Sequence, residues 1–205
     1  MDHRFTWLEI QTEYRESRPS KHGEELRWIV NRETIRNEAT GETVTRATIR
    51  HPGICVIVPQ LEDHRILLMR QYRYAAGQAL WELPAGTLNG REDNNRMLPT
   101  ETPEECAVRE LQEETGYHAG RIEKLGQCYA MPGSSDEIIH LFLARELTKQ
   151  EQSLDIGEVI YEVRPFTDQE IIGMIADGTI MDAKTLVALT MLLARRPGGL
   201  LIAPR

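Results

Sequence analysis

The chain is short of cysteine, of basic residues and of long apolar runs, and each shortage removes a class of protein. Its three cysteines, Cys55, Cys106 and Cys128, form no CxxC pair, so neither a disulfide framework nor a thiolate zinc site is expected and a reducing cytoplasm fits best. Lysine and arginine number 24 against 32 aspartates and glutamates, a net charge of −8. A polyanion binder needs a basic footprint, so nucleic acid is not an expected partner. The opening Met1-Asp-His-Arg-Phe-Thr-Trp-Leu-Glu-Ile lacks a signal pattern, and the most apolar stretch, Leu186 to Ala194, is too short to span a bilayer. No membrane association is expected. Internal repeats and long low-complexity segments are absent as well, and His51 and His140 have no second ligand at metal spacing, which makes them packed or turn residues.

What is present reads as a mixed sheet with helices on it. Apolar runs rich in β-branched residues predict strands near Leu26–Asn31, Thr43–Ile49, Ile54–Pro59, Ile66–Tyr72, Ile122–Tyr129, Ile138–Ala144 and Val159–Phe166. Helices are expected from about Pro103 to Thr115, Asp168 to Ala176 and Ala183 to Arg195. Thr102-Pro-Glu-Glu105 is a helix start with a capping-box pattern, and Gly116 marks the end. The polar stretch between Gly86 and Glu101 shows almost no periodicity and is read as an exposed loop. At 205 residues the chain suits one core, over 51–205, with an N-terminal β extension over 1–50.

Chemistry concentrates in the first helix. Glu110, Glu113 and Glu114 stand at i, i+3 and i+4, a spacing that gathers them onto one face. Like charges that close are tolerable when a cation neutralises them, and carboxylate oxygens suit magnesium or manganese. Arg109, four residues before Glu113, is placed to steady a carboxylate, while Val108, Leu111 and Thr115 are expected on the opposite, core-facing side. An acidic helix face taken alone is also consistent with plain solvation.

Its neighbours make the difference. Trp81-Glu-Leu-Pro-Ala-Gly86, Glu101 and Arg109-Glu-Leu-Gln-Glu-Glu-Thr-Gly116 together resemble the Nudix box, the signature of hydrolases acting on nucleoside diphosphates linked to another moiety. The spacing from Glu101 to Gly116 agrees with the box. Between Gly86 and Glu101, however, 14 residues intervene where the box has five, Asn95 stands at the strict glycine position, and Tyr117 replaces the final aliphatic residue. Treating the surplus as a loop insertion is energetically undemanding, since loop closure costs only about 0.6 kcal/mol per doubling of length.

The resemblance implies an α/β (α+β) fold, a Nudix-like α/β/α sandwich with a mixed β-sheet. It also implies Mg2+ (or Mn2+) held by Glu110, Glu113, Glu114, Glu158 and the carbonyl of Ala85, with Gly86, Glu101, Arg109 and Gly116 structural. Glu158, in the acidic loop Leu154 to Ile160, is a catalytic candidate, although a helix glutamate or Glu137 also suits the positioning of water. Pro132, sixteen residues after Gly116, and the surrounding Met131 to Glu137 are similar to the substrate loop of the ADP-ribose pyrophosphatase subgroup. By the same resemblance Arg73, and more weakly Arg46, reach phosphate, and the N-terminal extension with Trp7 and Trp28 joins two subunits in a homodimer. The expected reaction is hydrolysis of a pyrophosphate bond, with ADP-ribose first. Another nucleotide sugar or a dinucleotide is the alternative substrate, and a non-catalytic nucleotide sensor the alternative class.

Overall fold

A computed structural model describes residues 5–20 and 23–196; the outer ends of the two expected segments, 1–4 and 197–205, lie outside the described residues. The described residues form two compact units, one within 5–53, 87–102 and 129–138, the other within 54–86, 103–128 and 139–196.

The first unit is a three-stranded antiparallel sheet of β1 (Phe5–Ser20), β2 (Gly23–Asn37) and β3 (Thr43–Arg50), with β2 in the centre. Along β2 the period-two alternation buries Ile29, Asn31 and Glu33 on one side. Two of these are polar and both are satisfied. Asn31 accepts from the Thr12 hydroxyl at 2.9 Å and donates to the Asn95 carbonyl at 2.7 Å. Glu33 accepts from the Trp7 indole at 2.8 Å and from Arg50 at 2.6 Å. Because this sheet side closes with polar partners, β1 lacks the apolar period that would have announced it.

The stretch expected to be an exposed loop is instead a hairpin of β8 (Gly90–Asp93) and β9 (Arg96–Pro99). Asn94 and Asn95 connect them with φ of 49° and 60°, the left-handed pair that a two-residue type I′ turn requires. Leu88 and Met97 are buried, and the Glu101 carboxylate accepts from the Asn89 amide at 2.7 Å near the hairpin's base. An Asn-Asn pair was the overlooked signal.

In the second unit β4 (Ile54–Pro59) runs parallel to β11 (Ile138–Lys149), in a sheet ordered β10 (Tyr117–Tyr129), β11, β4 and β7 (Ala85–Thr87). A second, antiparallel sheet is ordered β12 (Ile160–Phe166), β5 (Ile66–Arg73) and β6 (Gln78–Glu82). Three helices complete the described residues: α1 (Pro103–Thr115), α2 (Asp168–Ala176) and α3 (Ala183–Ala194). Both sides of β4 are covered. Val56 and Val58 enter one cluster with Leu141, Leu143, Ile171, Ala188 and Leu189, and Cys55 on the alternate side meets Cys106 of α1. A strand buried on both faces reads as a continuous apolar run, as Ile-Cys-Val-Ile-Val does. The mixed sheet with helices on either side is the expected α/β/α arrangement. No described helix is long and apolar enough to cross a membrane.

Candidate active site

Helix α1 turns its acids inward. Its buried positions are Cys106, Ala107, Glu110, Leu111, Glu114 and Thr115, a stripe at helical period. Glu110 and Glu114 thus share the stripe with Leu111 and Thr115, which corrects the expected split into acidic and apolar faces; Val108 is only half-buried. The physical reason is a polar seat at the end of the Trp81–Gly86 run. The Ala85 amide donates to Glu114 Oε2 at 2.7 Å, and Gly86 leaves the space that the Glu110 carboxylate fills. A Cβ on Gly86 would lie 1.8 Å from Glu110 Cδ. Behind this point the Cys55 and Cys106 sulfurs stand 2.9 Å apart, each 3.7 Å from the Gly86 carbonyl oxygen.

Arg109 Nη1 donates to Glu110 Oε1 at 2.6 Å and to Glu113 Oε2 at 3.3 Å. Burial pushes the Glu110 carboxyl up to about 7, against the charge and hydrogen bond of Arg109 and with help from Glu113 and Glu158. Glu114 is raised well above the carboxylate range, first by burial and then by Glu110 and Glu158, with the Ala85 amide and Arg73 opposing. Glu158 therefore belongs to the same electrostatic group. Its Oε2 accepts from the Asp155 amide at 3.1 Å in the loop before β12.

Two buried acids that resist ionisation fit a divalent cation, which supplies the missing positive charge. Among the described residues no three His, Cys, Asp or Glu side chains are grouped as a complete ion cage. Magnesium does not demand one, since it commonly keeps waters and takes one or two carboxylates plus phosphate oxygens.

Arg73 is engaged from behind. Its Nε and Nη2 donate to buried Glu82 at 2.9 and 2.8 Å, and Lys184 Nζ meets the same carboxylate at 2.6 Å. Sequence reasoning missed Glu82 and Lys184; the available signal was an acid inside the apolar Leu80-Trp-Glu-Leu83. Gly116 closes α1 at φ 70°, and a Cβ there would crowd the Gln150 carbonyl at 3.0 Å.

The remaining expected residues belong to the first unit. Arg46 and Pro132 line a cavity of about 410 Å³ with Trp7, Glu33, Arg50 and Asp136. Arg50 bridges Glu33 at 2.6 Å and Asp136 at 3.1 Å. The loop carrying Pro132 is pinned to β3, because the Ile49 amide donates to the Ser134 carbonyl at 2.8 Å. Glu137 is half-buried and its amide donates to Ser135 Oγ at 3.1 Å. His51 is a turn residue: its Nδ1 accepts from the Gly53 amide at 3.1 Å, and burial, with Arg27 adding, lowers its pKa to about 4.

Residues 49–186 match the NUDIX domain. The chain belongs to the Nudix family. Among Nudix relatives, an ADP-ribose pyrophosphatase of Bacillus subtilis (strain 168) is 33% identical over 153 residues, 74% of this chain and 78% of its own. A GDP-mannose pyrophosphatase of Yersinia enterocolitica is 39% identical over 147 residues, 68% of this chain and 72% of its own. The crystal structure of an ADP compounds hydrolase shares the fold, with a TM-score of 0.70 and 20% identity over 92% of both chains. The chain is therefore a Nudix hydrolase, of a family that generally needs divalent metal ions.

Proposed function

We propose that this Nudix hydrolase splits ADP-ribose into AMP and ribose 5-phosphate. The observation that carries the reading is the seating of two buried carboxylates, Glu110 against Gly86 and Glu114 on the Ala85 amide. Relatives named for ADP-ribose and for GDP-mannose bring both substrates forward. Pro132, at the spacing of the ADP-ribose subgroup, favours the first.

Magnesium, or manganese, would be held by Glu110, Glu113, Glu114, Glu158 and the Ala85 carbonyl. When bound it neutralises phosphate oxygens and makes water a stronger nucleophile. The chain's own residues supply the rest. Arg73 offers its guanidinium to the diphosphate, because planar donors grip phosphate oxygens in pairs. By the family resemblance Arg46, Pro132 and Glu137 are substrate contacts, and an aromatic residue of a second copy's N-terminal part, such as Trp7, gives the nucleobase a surface to stack on. Glu158 takes the proton of the attacking water. The water oxygen bonds to one phosphorus, the bridging P–O bond breaks, and the bridging oxygen leaves with the other phosphate.

Homodimerisation is part of the same proposal. Phe5, Trp7, Leu8, Ile10 and Tyr14 on β1 are exposed large hydrophobic side chains, a concentration that a second copy would cover. Light scattering after size exclusion that shows only monomer removes this part. A cytoplasmic location is supported by three cysteines in the free state.

The deciding experiment is a magnesium-dependent substrate panel of ADP-ribose, GDP-mannose, other nucleotide sugars and dinucleotides. AMP release at the highest kcat/KM from ADP-ribose is expected. Faster turnover of GDP-mannose would reassign the substrate, and no hydrolysis of any compound would leave the nucleotide-sensor reading in its place.

A further inference from the structure

Beside the carboxylates, the second unit holds a charge network whose purpose the roles assigned so far do not explain. Glu82, at 0% exposure, receives two cations: Arg73 through Nε and Nη2, and Lys184 at 2.6 Å. Lys184 also meets Asp182 Oδ1 at 2.7 Å, while Asp182 Oδ2 caps α3 by accepting from the Thr185 amide at 2.9 Å. Thr185 Oγ1 in turn accepts from the Leu83 amide at 2.9 Å. The start of α3 is thus tied to the end of β6, a few residues before Ala85.

A buried carboxylate that faces a single guanidinium would form a neutral pair, with little charge left to attract an anion. Here the carboxylate is shared. Burial alone would raise Glu82, but Arg73 and Lys184 hold it below the usual range. Arg73 spends its Nε and Nη2 edge on Glu82, so its Nη1 side is turned away from that carboxylate, and the side chain remains 37% exposed. The charge of Arg73 is felt at Glu114. Asp182 returns one negative charge, part of which is committed to the first-turn amides of α3.

The geometry points to Lys184 as a positioning residue for the diphosphate: by sharing the Glu82 carboxylate, it leaves Arg73 electropositive and held at a fixed angle for a phosphate. This rests on the reading that Arg73 meets the substrate's phosphate. Lysine suits the task because its ammonium is a compact point charge that neutralises Glu82 without competing for the planar fork.

Five forms test it: wild type, Lys184→Met, Lys184→Arg, Arg73→Ala and the double variant Lys184→Met/Arg73→Ala, which closes a cycle. Each is followed by the KM and kcat for ADP-ribose and by calorimetric Kd for α,β-methylene ADP-ribose with magnesium. Lys184→Met is expected to raise KM and Kd about tenfold, the scale of one charge-assisted contact, with kcat little changed. Lys184→Arg should restore most of the loss, and Lys184→Met should add nothing once Arg73 is gone. An unchanged Kd in Lys184→Met, alongside a large loss in Arg73→Ala, overturns the role of Lys184 and leaves the substrate reading standing. So does a Lys184→Met effect that persists undiminished without Arg73. If Arg73→Ala binds as wild type does, the phosphate assignment of Arg73 itself is wrong. Thermal melting checks that each variant is folded, and Lys184→Gln replaces Lys184→Met if the apolar side chain unsettles α3.

Discussion

Gly86→Ala separates stability from catalysis at the point where α1 meets the Trp81–Gly86 run. The added Cβ would sit 1.8 Å from Glu110 Cδ and 1.9 Å from Oε1, whereas carbon contacts settle near ~3.5–4.0 Å. The carboxylate must therefore retreat by more than about 1 Å, which breaks its 2.6 Å bond from Arg109. The backbone is not an obstacle, because Gly86 is not among the positive-φ glycines. Overpacking of this kind costs about 1–3 kcal/mol, and the low end applies because a side-chain tip moves and alanine restricts the unfolded chain by about 0.4–1 kcal/mol. A misplacement of about 1 Å in a catalytic group lowers turnover on the order of 100-fold. We expect a melting temperature within a few degrees of wild type and a kcat with saturating magnesium about two orders of magnitude lower. If Gly86→Ala keeps kcat within a few-fold of wild type, the seat of Glu110 against Gly86 is not what the reaction depends on.

Three other outcomes follow from the same structure. Because burial raises Glu110 to about 7 from 4.5, its stabilising contribution is present below pH 4.5 and lost as pH rises through 7, worth about 3 kcal/mol. Glu114 acts in the same sense. His51, lowered to about 4, acts oppositely, adding stability as pH rises toward 6.5. The contribution of His51 cancels when melting with millimolar magnesium is compared with melting in chelator, so that difference should grow from pH 5 to pH 8; a flat difference counts against metal at these acids. Glu114→Gln should lose turnover while the metal-free protein melts higher than wild type at pH 8, since an acid whose ionisation burial opposes in the folded state is gone; unchanged activity would contradict its assignment. Asn95→Ala should lower the denaturation free energy by about 2 kcal/mol through αL strain and the lost Thr12 contact at 2.8 Å, and Asn95→Gly by less. Equal losses in urea titration would mean that the turn geometry does not matter.

The elements legible in advance were those whose apolar pattern decides their packing. Ile54–Pro59 is buried on both faces and is legible end to end, and α2 is legible from Asp168 to Ala176, where the structure adds a full capping box of Thr167 and Glu170 ahead of the apolar Ile171 and Ile172. The first strand and the 90–99 hairpin were not legible, because Thr12, Asn31 and Asn95 hold them through amide and hydroxyl contacts that leave no hydrophobic period. For the site, the spacing of Glu110, Glu113 and Glu114 was visible along the chain. Which of them are buried was not, since that depends on an amide and a missing side chain supplied 24 to 29 positions earlier, at Ala85 and Gly86. The pairing of Glu82 with Lys184 spans 102 positions, beyond the reach of any local pattern.

The inward stripe of α1 has an evolutionary corollary. At two of its six buried positions the helix carries a carboxylate where alanine or leucine would give a firmer fold, so activity and robustness compete for the same sites. A laboratory population selected for heat tolerance alone, without metal or substrate, should drift toward apolar residues at 110 and 114 and emerge as hardier, inert proteins.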